Sequence, residues 1–247
     1  MRIFTALFLL LIPCADLADA QRRGRPVAQR TAEVGQTAVV MDENISILRA
    51  KPSLFAESVQ RMRMGRRVRI TGVTEADGVK FFRVTATPPA VGWVQSDAVF
   101  GKFRADDEER FARLVQASSG FEQIEAATYF FELYPASKFR PPILLLFGDL
   151  LEDAATKLSR DAGRRLSRRE MAASGAPLHS YYLSFVSLDR YRKLGIIFLF
   201  NPSTKQFHYE GKAWKEIATK FATSNEAIEA QKRLESLKEK MAVRTAK

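Results

Sequence analysis

The hydrophobic pattern of this chain changes period once, and that change most restricts the folds available to it. Over residues 37–100, short runs of β-branched residues are broken by turn-forming residues, which is typical of strands. From Ala105 onward, apolar residues recur at helical spacing, as at Phe111, Leu114 and Val115. The pattern therefore predicts a β part followed by a helical part.

The β part is predicted to contain about five short strands. Val68 and Ile70 alternate with Arg67 and Arg69, the period of a strand with one buried side and one side facing water. A small closed or nearly closed barrel is favoured, because closure removes exposed strand edges. The predicted strands cover residues 38–41, 46–49, 67–72, 81–84 and 92–94.

Four ordered segments of this part resemble the successive strands of bacterial SH3-type domains. They are residues 47–53, 64–70, 81–84 and 91–94, the last containing Gly92-Trp93-Val94. The resemblance implies an SH3-type β-barrel over residues 37–101. Members of that family commonly attach exported proteins to cell-wall peptides, and others are structural spacers. This chain departs from the family in having Phe82 where tryptophan is common.

The helical part is predicted to contain about seven helices. They begin at Asp106 and then cover residues 121–134, 142–158, 161–173, 178–194, 209–221 and 224–241. Residues 133–149, and less closely residues 220–234, resemble tetratricopeptide-like helical repeats. The resemblance implies a helical tetratricopeptide-like domain over residues 104–243 that makes protein contacts. Residues 196–209 fit either a longer helix or a hairpin that turns at 201–204.

The predicted fold class is therefore α+β with two domains, a small SH3-type barrel followed by an all-α, repeat-like domain. Residues 102–104 are too few for a free linker, so we expect the barrel to pack against the first helices. Residues 21–36, which contain four arginines and almost no large apolar side chain, are predicted to be a flexible basic linker.

Residues 1–20 have the pattern of a signal peptide, with Arg2 before an apolar run and the small-residue triplet Ala18-Asp19-Ala20 at the end. We expect an exported protein, periplasmic or associated with the cell envelope, that begins at Gln21. The apolar run is too short to span a bilayer, and no transmembrane segment is expected in the mature chain. Cys14 fits a lipid anchor poorly because proline precedes it.

The net charge of +11 becomes +12 if cleavage after Ala20 removes one basic and two acidic residues. Charge of this size attracts polyanions, which in an envelope include wall carboxylates and lipid phosphates. It also keeps a protein soluble. Cleavage would remove Cys14, the only cysteine, so we expect no disulfide and no thiol chemistry.

Residue types that carry catalysis are sparse. His179 and His208 have no ligand partner at helix or strand spacing and are expected at a helix start and in a turn. Three carboxylates, Asp149, Glu152 and Asp153, share a helix side, where an ion pair with Lys157 is the favoured interpretation. No nucleophile elbow or phosphate loop occurs. We therefore predict no enzyme activity, no cofactor and no metal.

Candidate ligand residues are Arg49, Arg67, Arg69, Phe82 and Trp93. The water-facing side of one strand would present Arg67 and Arg69 together, and a guanidinium can hold a carboxylate or a phosphate with two parallel bonds. The alternative is a solvated edge protected against aggregation. Phe82 is expected to line a groove, whereas Trp93 fits either the core or a ligand platform.

Candidate partner-binding residues are Arg160, Arg164 and Arg168, spaced four apart. On one helix face they could hold an acidic partner helix or lipid phosphate, or they could simply be solvated. The aromatic residues between Tyr181 and Phe200 fit core packing or a groove for a partner helix.

These features together favour a non-enzymatic envelope protein. Its barrel would recognise a cell-wall or partner peptide, and its helical region would contact other proteins. The alternative is an accessory or activator of a cell-wall hydrolase. A nucleic-acid binder would rest on charge alone, and no nucleic-acid partner is predicted.

Overall fold

The computed structural model describes residues 31–242, and the first part of this range forms one antiparallel sheet. Its seven strands are ordered β3-β2-β6-β5-β4-β1-β7. The strands are β1 (Thr37–Val40), β2 (Ile47–Arg49), β3 (Ser58–Arg61), β4 (Arg67–Ala76), β5 (Val79–Ala86), β6 (Ala90–Gln95) and β7 (Val99–Phe100).

The long hairpin of β4 and β5 is the centre of this sheet. Its two-residue turn, Asp77-Gly78, has positive φ angles of 54° and 73°, the conformation that two-residue hairpin turns require. Val68 and Ile70 face the core, while Arg67 and Arg69 face water. The predicted alternation along this strand is confirmed.

The predicted small SH3-type barrel is wrong, because the sheet has seven strands and an SH3-type barrel has about five. Two of the strands gave no signal in the sequence. Three of the four residues of β3 are exposed, so that strand lacks the alternation of buried and exposed positions, and β7 has only two residues. Periodicity detects neither kind of strand.

The second part of the described range is mainly helical. Its helices are α1 (Asp107–Ala117), α2 (Gly120–Leu133), α3 (Arg140–Arg165), α4 (Arg168–Ser174), α5 (Leu178–Leu183), α6 (Asp189–Arg192), α7 (Lys212–Lys220) and α8 (Ala227–Met241). Helix α3 is continuous, although two separate helices over residues 142–158 and 161–173 are predicted there. The long helix predicted over residues 178–194 is instead α5, a 3₁₀ turn and α6.

A two-stranded hairpin lies among these helices, so the predicted all-α domain is also wrong. Strands β8 (Phe198–Asn201) and β9 (Gln206–Tyr209) pair antiparallel. The hairpin lies against α3, where the backbone N–H of Phe207 donates to the hydroxyl of Ser159 at 2.7 Å. Of the two interpretations left open for residues 196–209, the hairpin is the one observed.

The sheet and the helices share a continuous hydrophobic core. Val39 and Phe100 of the sheet, and Met41 just after β1, pack in one cluster with helical residues, and the rings of Phe100 and Phe111 lie 5.1 Å apart. The buried carboxylate of Asp107 accepts hydrogen bonds from the backbone of Gly101 and from the Arg104 guanidinium. Burial raises the pKa of Asp107, and these partners offset the shift only in part.

The end of the predicted flexible linker is bound to the sheet. The N–H of Gly35 donates to the carbonyl of Ile70, whose own N–H donates to the carbonyl of Gln36. Glu33 is buried and pairs with Lys80 at 2.7 Å. Residues 21–30 of that linker, the predicted signal peptide and Cys14 lie outside the described residues.

None of the helices described by the structure is long and apolar enough to cross a membrane.

Candidate functional site

The water-facing side of the central sheet brings arginine and tryptophan together. We call Arg67, Arg69, Arg83 and Trp93 the basic face. Arg83 on β5 is the register partner of Trp93 on β6, and Arg69 on β4 pairs with Thr85, two residues from Arg83. Side chains at such direct and diagonal positions lie within reach of one another.

A glycine of β4 lies next to the tryptophan ring on this side. A Cβ added to Gly72 would lie 3.5 Å from Cβ of Arg83 and 4.0 Å from Cη2 of Trp93. The indole therefore extends from β6 across β5 toward β4. Trp93 is only partly buried, so it belongs to the surface of the sheet as well as to its packing.

The guanidinium groups of the basic face are little used by the fold. Within residues 31–242, Arg69 and Arg83 form no ion pair, and Arg67 lies 3.9 Å from Glu132 with both side chains more than half exposed. An exposed pair at that distance contributes little to stability. Their charges remain available to an anionic ligand.

One of the predicted ligand residues, Phe82, is not on this side of the sheet. Arg49 on β2 is the register partner of Trp93 and lies on the same side, but its Nη1 donates to the carbonyl of Ala56 at 2.7 Å and so holds the loop between β2 and β3. Phe82 is fully buried and packs edge-on against Phe103, with ring centroids 6.0 Å apart. It points to the core because Arg83, the next residue, points to water, so Phe82 lines no groove. Arg83 is not among the predicted ligand residues, because alternation within β5 shows only that it faces water and its place beside Trp93 follows from strand register.

The predicted trio of partner-binding arginines is divided between two helices. Arg160 and Arg164 lie on α3, whereas Arg168 begins α4, beyond the break at Leu166 and Ser167. The three do not share one helix face. Arg160 and Arg164 line a shallow pocket of about 220 Å³ together with Lys157 and Asp161.

A larger groove adjoins this pocket. It measures about 490 Å³ and lies between α3, the start of α2 and residues 186–191. Lys157 and Asp161 line both cavities, so the shallow pocket lies beside the groove. We call this the α3 groove. Helical spacing identifies only the α3 wall, because the other walls come from segments far away in the sequence.

Two of the three carboxylates singled out on α3, Asp149 and Glu152, are paired, but not with the predicted partner. Oε1 of Glu152 lies 2.9 Å from Nδ1 of His208 and 2.8 Å from Nζ of Lys240, and Oε2 accepts the backbone N–H of Tyr209 at 2.9 Å. Lys157 takes no part. His208 is a buried strand residue, not a residue of a turn.

Burial of Glu152 favours its protonated form, but the hydrogen bonds and the Lys240 charge outweigh burial and lower the pKa to about 2. The carboxyl group is therefore ionised at neutral pH. Nearby, Arg233 holds Asp149 with two bonds, of 3.0 and 3.3 Å. Both carboxylates fasten α8 to α3, which accounts for their position on one helix side.

The described residues contain no group of three or more histidine, cysteine, aspartate or glutamate side chains that could hold a metal ion. No protein-family model matches the chain, and comparisons with curated proteins and with solved structures found no match.

Proposed function

We propose that this chain is an exported, non-enzymatic binding protein of the cell envelope, and that the basic face binds a carboxylate-bearing wall peptide. The observation that carries the proposal is the placement of Arg69 and Arg83 beside Trp93, with neither guanidinium in an ion pair within residues 31–242. The pattern of residues 1–20 supplies the location.

The chemistry of the face suits a carboxylate. A guanidinium holds a carboxylate through two parallel N–H donors, and two guanidinium groups on neighbouring strands can hold carboxylates spaced along a peptide. The indole of Trp93 offers an apolar surface for the part of the ligand between the charges. The helical part, with its own groove, would contact other proteins.

The test is co-sedimentation of residues 21–247 with purified cell-wall sacculi, at about 50 mM and about 300 mM NaCl. The double variant Arg69→Glu/Arg83→Glu is compared with Lys215→Glu/Lys238→Glu, which makes the same charge change at exposed positions of α7 and α8. A third variant, Trp93→Ala, tests the apolar surface.

We expect the Arg69/Arg83 variant to lose at least tenfold in affinity and the matched control to keep most of it. Residual binding of the wild type at the higher salt concentration, reduced by Trp93→Ala, would further support a specific site. Equal losses in the two charge variants would refute the proposal, because they would reduce binding to general attraction between a cation and a polyanion.

A further inference from the structure

The α3 groove has an apolar floor built from aromatic and aliphatic side chains. Ile124 and Leu158 are each 3% exposed and lie at its base. Phe121 and Tyr191 meet edge-on at 5.2 Å, and the Arg190 guanidinium lies over both rings at 4.7 and 4.9 Å. These contacts hold the wall of the groove in place without help from a ligand. A preformed apolar cavity of this size can take one large side chain.

The rim of the groove carries more positive than negative charge. Its cations are Lys157, Arg165 and Arg190, and the adjacent shallow pocket adds Arg160 and Arg164. The acidic residues are Asp153 and Asp161. Within residues 31–242, none of the four cations on α3 forms an ion pair, so the fold does not neutralise them. Charge complementarity favours an acidic occupant.

The shape of the groove favours a peptide over a small molecule. Seven residues of α3 line it, from Leu150 to Arg165 at intervals of one, three or four. At 1.5 Å per residue this stripe extends for about 22 Å, the length of four helical turns. An amphipathic segment lying along a helix stripe in this way is a common form of peptide recognition.

We propose that the α3 groove binds an acidic amphipathic segment of a partner protein, with an apolar side chain of that segment packed over Ile124 and Leu158 beside the Phe121–Tyr191 pair. The parts of this chain outside the described residues do not suit the groove. Residues 21–30 contain four arginines, and residues 243–247 contain Arg244 and Lys247. This proposal does not depend on wall binding by the basic face, since the two surfaces share no residue.

The probe is a fluorescein-labelled peptide of glutamates with leucine or phenylalanine at every third and fourth position, and its binding is followed by fluorescence anisotropy. Two further peptides replace every glutamate by glutamine or by lysine. The protein is used as residues 21–247. Lys157→Glu/Arg165→Glu reverses charge at exposed rim positions, and Ser187→Trp fills the groove with a large side chain.

Lys215→Glu/Lys238→Glu is the matched charge control, and circular dichroism spectra establish that each variant is folded. We expect the acidic peptide to bind at least tenfold more tightly than the glutamine peptide. Both groove variants should weaken that binding about tenfold, and the control should change it less than twofold.

Equal binding of the acidic and glutamine peptides would overturn the proposal. So would equal losses in the groove and control variants, or binding that survives Ser187→Trp. If light scattering shows a dimer that Lys157→Glu/Arg165→Glu dissociates, the occupant is a second copy of this chain and the proposal is also wrong. Sacculus binding is measured separately, so failure of peptide binding by the α3 groove and failure of wall binding by the basic face can be distinguished.

Discussion

The sheet and the helical part use their charged side chains in different ways. On the sheet, Arg69 and Arg83 face water from one side of the strands and form no ion pair within the described residues. In the helical part, Glu152, Asp149 and Arg140 tie together elements far apart in the sequence. Charges that join helices contribute to stability. We expect changes at Arg69 and Arg83, which form no ion pair within the described residues, to affect the fold little, and this makes them the better candidates for ligand contact.

The largest effect on stability is expected at Phe82, whose side chain lies entirely in the core on the side of the sheet opposite to Arg69 and Arg83. Truncation by Phe82→Ala removes a fully buried ring and leaves a cavity, so it should lower the free energy of unfolding by about 3–5 kcal/mol. Phe55→Ala is the matched control, because that ring is 90% exposed, and its effect should stay within about 0.5 kcal/mol. Urea unfolding measures both. Similar values for the two would mean that Phe82 is not a core residue.

The next largest effect is expected at Glu152. Glu152→Gln removes the charge that accepts from His208, Lys240 and the Tyr209 N–H, and should cost about 2 kcal/mol at pH 7. The folded-state pKa of Glu152, about 2, lies below its ordinary value of 4.5. Its stabilisation is therefore complete above about pH 4.5 and is lost as the pH falls toward 2.

Unfolding curves of the wild type and Glu152→Gln should accordingly converge over that pH range. Asp153→Asn is the control for this prediction, since Asp153 is exposed and forms no ion pair within residues 31–242. It should change stability by less than about 0.5 kcal/mol. If the difference in unfolding free energy between wild type and Glu152→Gln stays constant from pH 7 to pH 2.5, the ionised Glu152 carboxylate is not the source of the stabilisation.

Two glycines of α3 provide a smaller test with opposite signs. A Cβ on Gly148 would lie 2.3 Å from Nε1 of the buried Trp214, so Gly148→Ala should destabilise the protein by about 1–2 kcal/mol. Gly163 has open space around its Cα, and Gly163→Ala should stabilise by about 0.5–1 kcal/mol through helix propensity. Thermal unfolding of both variants distinguishes the packed end of α3 from its exposed end.

The smallest effect on stability is expected at the basic face. Arg69→Gln/Arg83→Gln should alter the free energy of unfolding by no more than about 0.5 kcal/mol, because neither side chain forms an ion pair within residues 31–242. Urea unfolding of this double variant measures its stability, and the sacculus assay measures its binding, so the two effects are distinguished. A loss of several kcal/mol would show that these arginines support the fold after all.

Local periodicity predicted the strongest elements of this fold. The alternation from Arg67 to Ile70, the acidic start of α1 and most of the long helices were recognised, since each carries its signal within its own residues. The exposed strand β3 and the two-residue strand β7 were missed, and the resemblance to a smaller barrel left no place for them. For β8 and β9 the sequence pattern fits a hairpin and a longer helix equally.

The candidate sites were predicted only in part, for a related reason. The alternation along one strand predicts that Arg67 and Arg69 face the same side, but the proximity of Arg69, Arg83 and Trp93 depends on register between strands, which spacing within a strand does not give. Arg168 was placed with Arg160 because a spacing of four continues across a helix break as easily as along a helix. The ion pairs of Glu152 and Asp149 depend on α8, whose position no local pattern predicts.

The fastening of α8 also bears on the order in which the chain can assemble. Arg233 and Lys240 lie 84 and 88 residues after the carboxylates that they hold. A chain emerging from the ribosome has therefore completed α3 long before these cations arrive. Until then, Asp149 lacks its partner and Glu152 can contact only His208 and the Tyr209 N–H, so the last helix closes the fold. Chains ending at residue 226 should consequently be digested much faster by a protease than chains that include α8.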